Sequence, residues 1–260
     1  MNFNFTDYHI VITAGASGIG YEIAKAFAVL DATIFVCDIS AEKVAAVNQQ
    51  NNKIHAFVAD VGDASQVEAF YHFIKTKTDT INVLVNNAGI AGPTALTENI
   101  TPEEWDRTVS VDLNGMFYAA KHALPMLRKA GGGAIVNMSS NAAFSGFPFR
   151  SPYTASKWAI IGFTKTLAME YGAENIRVNA VCPGSVKGER IDGVIAKEAE
   201  LRGLTFEEVK SGYERQVSLR SFVDTSDVSN LILYLSSPYG KMISGQAMGI
   251  DGHTETLTNF

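Results

Sequence analysis

The sequence predicts a single doubly wound α/β domain: a central parallel sheet of about seven strands flanked by helices on both faces. Three observations predict it. Seven short β-rich runs alternate with longer segments of helical period. The runs are apolar almost throughout instead of alternating, as parallel strands covered on both faces require. A glycine-rich turn joins the first run to the first helical segment. With 260 residues, 47% of them hydrophobic, the chain can bury one substantial core, so residues 1–260 read as one domain.

The elements follow in order. His9–Thr13 is the first strand, and the turn Thr13-Ala14-Gly15-Ala16-Ser17-Gly18-Ile19-Gly20 leads into helix Ile19–Leu30. Thr33–Asp38 ends on a carboxylate and is followed by helix Ala41–Gln49. Lys53–Val58 precedes Asp60-Val61 and helix Asp63–Lys77; Val83–Asn86 runs into Asn87-Ala88-Gly89 and then helix Trp105–Ala130. Ala134–Met138 reads as a buried strand that delivers Ser140 at its C-terminal edge, before helix Pro152–Tyr171. Arg177–Cys182 ends at Pro183-Gly184; helix Asp227–Leu235 and strand Ala247–Ile250 complete the pattern. Each helical segment is long enough for a crossover between parallel strands. Between Gly184 and Val223 the chain is rich in charge, with a weak amphipathic period from Ile191, Val194, Ile195 and Leu201. Residues 185–223 are expected to form a helical lid over a cleft, the alternative being an ordinary surface insertion.

Composition narrows the ligands. A net charge of −6 with no basic block argues against nucleic acid or an anionic membrane as partner, which leaves small molecules. No apolar stretch approaches the roughly 20 residues of a membrane span, and Met1–His9 lacks a basic segment followed by an apolar one, so a cytoplasmic protein is expected. Cys37 and Cys182 lie in separate apolar strands and read as buried free thiols. The five histidines show no metal-ligand spacing, and no metal is expected.

Two clusters carry chemistry. In the glycine turn, Gly15, Ser17, Gly18, Ile19 and Gly20 let the backbone approach a pyrophosphate, and the helix N-terminus adds unpaired N–H groups and partial positive charge. This is a Rossmann-type arrangement. Asp38, eighteen residues beyond Gly20, can accept hydrogen bonds from both adenosine ribose hydroxyls and would repel a 2′-phosphate. No Lys or Arg stands at Ala16, Ile39 or Ser40 to neutralise such a phosphate, which favours NAD over NADP. The competing reading of Asp38 is a turn or N-cap residue, with Ser40 a rival cap. In the second cluster, Tyr153 and Lys157 are four residues apart, on one face of a helix. An ammonium beside a phenol favours the phenolate and makes an acid-base group usable near neutral pH. Ser140, thirteen residues before Tyr153, can hydrogen-bond a substrate oxygen. Taken alone, a Tyr-x-x-x-Lys pair is more often a solvated helix face.

Together these residues resemble the single-domain branch of the short-chain dehydrogenase/reductase superfamily over essentially the whole chain. The resemblance implies hydride transfer between a nicotinamide and a carbinol carbon, with Tyr153 exchanging the proton, Ser140 orienting the substrate oxygen and Lys157 also binding the nicotinamide ribose. It further implies that Asp60 and Val61 contact the adenine, that Asn87, Ala88 and Gly89 line the cofactor cleft, and that Pro183, Gly184 and the Val186 backbone meet the nicotinamide. The family is commonly tetrameric through the two long helices, here those carrying Asp112 and Tyr153, and a homotetramer is the expectation. Three positions depart from the family pattern. Ala14 stands where the first glycine is usual, and Gly188 where a nicotinamide-binding threonine is common. Asp112 stands in the active-site asparagine position, whose main chain helps hold a water joining the lysine to bulk solvent; an aspartate changes the local charge.

For the substrate, Arg150 and Arg190 can clamp a carboxylate, sulfonate or phosphate, or can form structural salt bridges with acids such as Glu189 or Asp192. His253 either reaches a partner subunit's cleft or caps the last strand. The leading reading is an NAD-dependent dehydrogenase of a small polar secondary alcohol: a sugar, polyol or hydroxy acid, anionic ones included. A 3-oxoacyl-thioester reductase is the second, disfavoured by Asp38 because of its usual NADPH. A non-catalytic dinucleotide-sensing or scaffold protein is the third, opposed by the intact Ser140, Tyr153 and Lys157.

Overall fold

A computed structural model describes residues 3–254; residues 1–2 and 255–260, the ends of the expected 1–260 domain, lie outside the described residues. Seven parallel strands form one sheet in the order β3-β2-β1-β4-β5-β6-β7. They are β1 His9–Thr13, β2 Thr33–Asp38, β3 Ile54–Val58, β4 Val83–Asn86, β5 Gly133–Met138, β6 Ile176–Pro183 and β7 Ala247–Ile250. The sequence reading therefore holds to within a residue at every strand end. The chain winds outward from β1 to β3, returns to β4 beside β1, and winds the other way. The C-terminal ends of β1 and β4 thus flank the point where the winding reverses, where open α/β sheets bind ligands.

Apolar side chains leave both faces of the sheet. Ile10, Ile12, Val36, Val85 and Val136 pack under helices α1 (Gly18–Val29) and α9 (Thr225–Ser236). Val11, Phe35, Leu84, Ile135 and Val178 pack under α3 (Ala64–Lys75), α5 (Gly115–Lys129) and α6 (Ser151–Tyr171). Local chemistry starts the outer helices: Ser40 caps α2 (Ala41–Gln50), Asp63 caps α3, and Thr101 with Glu104 forms a capping box on α4 (Pro102–Val109). Among the described residues no helix is long and apolar enough to cross a membrane.

One expected helix is interrupted. Residues 105–130 run as α4, then a π-helical turn at Ser110–Asn114, then α5. The wider turn carries Asp112, which is fully buried. Residues 185–223 form two helices, α7 (Glu189–Arg202) and α8 (Phe206–Arg215), which close a small core of Ile195, Ala199, Val209, Tyr213 and Phe222. Both ends of this segment are tied at one place: Val223 N–H donates to Ser185 and Lys187 N–H to Val223, a parallel bridge at Val186.

Candidate active site

The glycine turn is built by close backbone approach. A Cβ on Gly15 would stand 2.6 Å from Val36 Cβ, and one on Gly20 would collide with the Ala14 carbonyl. Ala14 itself adopts φ +50, a left-handed conformation that explains the family's glycine there. Asn87 fixes the turn from β4: its side-chain amide donates to the carbonyls of Thr13 (3.0 Å) and Ala14 (3.1 Å). The Thr13 hydroxyl in turn accepts the N–H groups of Asn87 and Ala88, both at 3.0 Å. Ser17 offers α1 no side-chain cap, and the first turn holds no acid. The amides at this helix end therefore remain available to an anion, as a dinucleotide's pyrophosphate requires.

Asp38 sits at the end of β2, buried, accepting Ala16 N–H at 3.2 Å and Ser40 N–H at 3.1 Å. Ser40, not Asp38, caps α2. Ile39 is exposed beside it. Lys43, which the sequence reading passed over, donates to Ser17 Oγ at 3.2 Å and brings a cation to the edge of the glycine turn. No local signal points to it, since the first turn of a helix favours acids; the contact depends on how α2 packs beside the glycine turn. Asp60 holds Gly62 N–H and pairs with Arg107 at 2.8 Å, while Val61 is buried under Gly115. The Asn86 amide donates to Asn137 (2.8 Å), and Asn137 to Thr164 (3.0 Å), a buried polar bridge from β4 through β5 to α6.

The second cluster forms where α6 crosses the end of β5. Lys157 is buried, and its ammonium donates to the Met138 carbonyl at 3.0 Å while lying 5.4 Å from the centre of the Tyr153 ring. Ser139 Oγ donates to the Lys157 carbonyl at 2.9 Å, clamping helix to strand from the other side. Ser140, next in the chain, is buried; its hydroxyl accepts Ala142 N–H and donates to Asn141. Asp112 brings a carboxylate to this group. Its Oδ1 accepts Ile90 N–H at 2.7 Å and its Oδ2 lies 3.9 Å from Lys157 Nζ. Burial pushes the Asp112 carboxyl above the usual carboxylate range, against the pull of Lys157, the Ile90 amide and Arg190.

Pro183 ends β6, and Gly184 N–H donates to Ile250; a side chain on Gly184 would press on Asp251 at 2.8 Å. The glycine at 188 takes φ +139, a conformation that L side chains rarely adopt, so the family's threonine would be strained here although a Cβ would meet only open space. Both arginines converge on the segment after β4. Arg150 is buried and donates to the carbonyls of Ala91 (3.2 Å) and Gly92 (3.5 Å), while Arg190 donates to Gly89 at 3.1 Å. Burial holds the Arg150 guanidinium below its ordinary pKa, and its Nη2 has no hydrogen-bond partner. His253 pairs with Ser218 at 2.7 Å. Cys37 and Cys182 are buried free thiols on β2 and β6.

Residues 8–199 match the family profile described as short chain dehydrogenase. The chain is 34% identical over 246 residues to the 3-oxoacyl-[acyl-carrier-protein] reductase FabG of Thermotoga maritima, covering 93% of this chain and 95% of the relative. It is 36% identical over 253 residues to the probable galactose dehydrogenase GalD of Rhizobium meliloti, covering 95% and 94%. Among solved structures, 3-ketoacyl-(acyl-carrier-protein) reductase from Brucella melitensis complexed with NADH superimposes with a TM-score of 0.86 at 25% identity, over 97% of this chain and 100% of the other.

Proposed function

This chain belongs to the short-chain dehydrogenase family, as an oxidoreductase acting on CH–OH groups, and we propose that it moves hydride between NAD and a small polar secondary alcohol or its ketone. The observation that carries this reading is Lys157 Nζ, fixed by the Met138 carbonyl 5.4 Å from the Tyr153 ring beside the strand end that bears Ser140. A fixed ammonium favours the phenolate, so Tyr153 can take the hydroxyl proton of an alcohol or return one to a carbonyl oxygen. The Ser140 hydroxyl orients that oxygen. When bound, the nicotinamide supplies or accepts the hydride.

The glycine turn, Asp38 at the end of β2, Asp60-Val61, Asn87 to Gly89 and Pro183 to Val186 would hold the cofactor. The buried carboxylate at Asp38 and the NADH of the Brucella relative support NAD. The name of the Thermotoga relative supports a second reading, a 3-oxoacyl-thioester reductase, and Lys43 at the turn supports NADPH as its cofactor. Helices α7 and α8 would act as the substrate lid. A homotetramer is supported by the exposed Phe117 and Met169 on the outer faces of α5 and α6, and by the groove between these helices lined by Phe117, Leu124 and Phe163. The deciding experiment is a screen of NAD and NADP reduction against sugars, polyols, hydroxy acids and 3-hydroxyacyl thioesters. Reduction of NAD by a polar secondary alcohol is expected; turnover confined to the thioester with NADP would replace this reading with the second.

A further inference from the structure

The proposed acid-base pair has a carboxyl beside it, 3.9 Å from the Lys157 ammonium. Asp112 is fully buried on the π-helical turn, and its two oxygens do different things. Oδ1 accepts the Ile90 amide at 2.7 Å, a bond that an asparagine oxygen would make equally well. Oδ2 has no hydrogen-bond partner and lies 3.9 Å from Lys157 Nζ. A side chain on Gly89 would stand 3.3 Å from both Asp112 Oδ1 and Lys157 Nζ, so the backbone after β4 packs against the pair. A buried oxygen with no bonded partner, facing a buried ammonium, acts through its charge.

We propose that Asp112 is a positioning residue: its carboxylate is the counter-ion of Lys157 and thereby sets the pH range in which Tyr153 exchanges its proton. The inference rests on the proposed role of Tyr153. Lys157 lowers the cost of the phenolate with its positive charge; a carboxylate beside that ammonium offsets part of the effect and keeps the phenol protonated to higher pH. In the reducing direction the phenol gives its proton to the substrate oxygen while the carbonyl carbon receives hydride from the reduced nicotinamide. The phenolate left behind regains its proton from solvent. Asp112 thus favours carbonyl reduction near neutral pH and moves alcohol oxidation to more alkaline solution. Other titratable groups surround the pair. Arg190 on α7 acts on Asp112; Tyr213, Tyr153 and Glu198 act on the Arg150 guanidinium at the start of α6; and Cys182 on β6, near Lys157, is a thiol pushed up to about 11 and hence neutral. Burial keeps the Asp112 carboxyl above its ordinary pKa, so the effect vanishes below that raised value, where the carboxyl is protonated.

Asp112→Asn keeps the bond to Ile90 and removes only the charge. Rate against pH for alcohol oxidation should show its rising limb in the variant about one pH unit or more below wild type. Ionisation of Tyr153 should move the same way, read by ultraviolet difference titration with Tyr153→Phe as the blank. Asp112→Ala, which also loses the Ile90 bond, should unfold at lower denaturant, whereas Asp112→Asn should not. Superimposed pH profiles and superimposed tyrosine titrations for wild type and Asp112→Asn would overturn the proposal. If the titration shifts but no alcohol or ketone is turned over, the counter-ion role stands and the proposed function falls.

Discussion

Asp38 accepts the backbone N–H of Ala16 at 3.2 Å, across 22 residues of sequence, so the carboxylate proposed to recognise the adenosine ribose also closes the glycine turn. The two roles cannot be separated by mutation. Asp38→Ser with Ile39→Arg should shift kcat/KM toward NADP by at least about tenfold, by removing repulsion and adding a phosphate partner. The same double variant should lose roughly 1.5–3 kcal/mol of stability with the charged hydrogen bonds. Cofactor kinetics and urea midpoints measure the two effects; a wild-type protein that already uses NADP as well as NAD would refute the basis of the first. Lys43→Ala is the companion variant, expected to weaken NADP more than NAD.

Tyr153→Phe should lower kcat by about 10²–10⁴-fold with little change in NAD affinity, because only the transferable proton is lost. Retention of most of the turnover would move the acid-base role elsewhere. Lys157→Ala should damage cofactor binding and turnover together. It also strands the Asp112 carboxyl in the interior, and breaking a buried pair costs roughly 3–5 kcal/mol, so this variant alone of the two should be visibly less stable.

Ala14 holds φ +50, which costs an L-residue roughly 1–2 kcal/mol that glycine does not incur. Glycine gives back about 0.5–1 kcal/mol of that through the unfolded chain's greater freedom. Ala14→Gly should therefore raise stability by about 0.5–1 kcal/mol, read from the urea midpoint at constant m. A loss of stability would mean that the Ala14 methyl contributes packing that outweighs the strain.

Arg150 and Arg190 should now behave differently. Arg190 is exposed and holds one carbonyl, so Arg190→Gln should leave stability within about 0.5 kcal/mol and raise KM for an anionic substrate by about 10- to 150-fold, the loss of one charge-assisted contact. Arg150→Gln removes buried donors to Ala91 and Gly92, so it should lower stability as well as raise KM. Unchanged KM in both variants, or a best substrate without negative charge, would make these arginines purely structural.

Cys37 and Cys182 are pushed up to about 12 and about 11 by burial, so neither holds appreciable thiolate at pH 8. The native protein should resist iodoacetamide at that pH and take up two equivalents only after unfolding. Mass spectrometry counts them; rapid labelling of the folded protein would contradict the burial.

Much of this molecule was legible in one dimension. The strand ends at Thr13, Asp38, Asn86 and Ile250 were read correctly because a parallel strand buried on both faces is an uninterrupted apolar run, and turn residues mark where it stops. The glycine turn and the Tyr153–Lys157 spacing were legible for the same reason: each is local, fixed by a few adjacent residues and the helical repeat. The two helices inside residues 185–223 were only half visible, since their apolar positions pack on one another and on Phe222 instead of on the sheet.

What the sequence by itself determined was the winding of the chain, the family of its chemistry and the identity of the residues at each strand end. Only the tertiary structure decided that Asp112 lies 3.9 Å from Lys157, that Lys43 reaches Ser17, that Arg150 is buried against the segment after β4, and that Ala14 is left-handed. The physical reason is range. Periodicity and turn chemistry act over a few residues and are written in their order. The distance between Asp112 and Lys157 depends on how a π-helical turn, two packed helices and the end of β5 settle against one another, a sum of many small contacts that no single stretch of sequence contains.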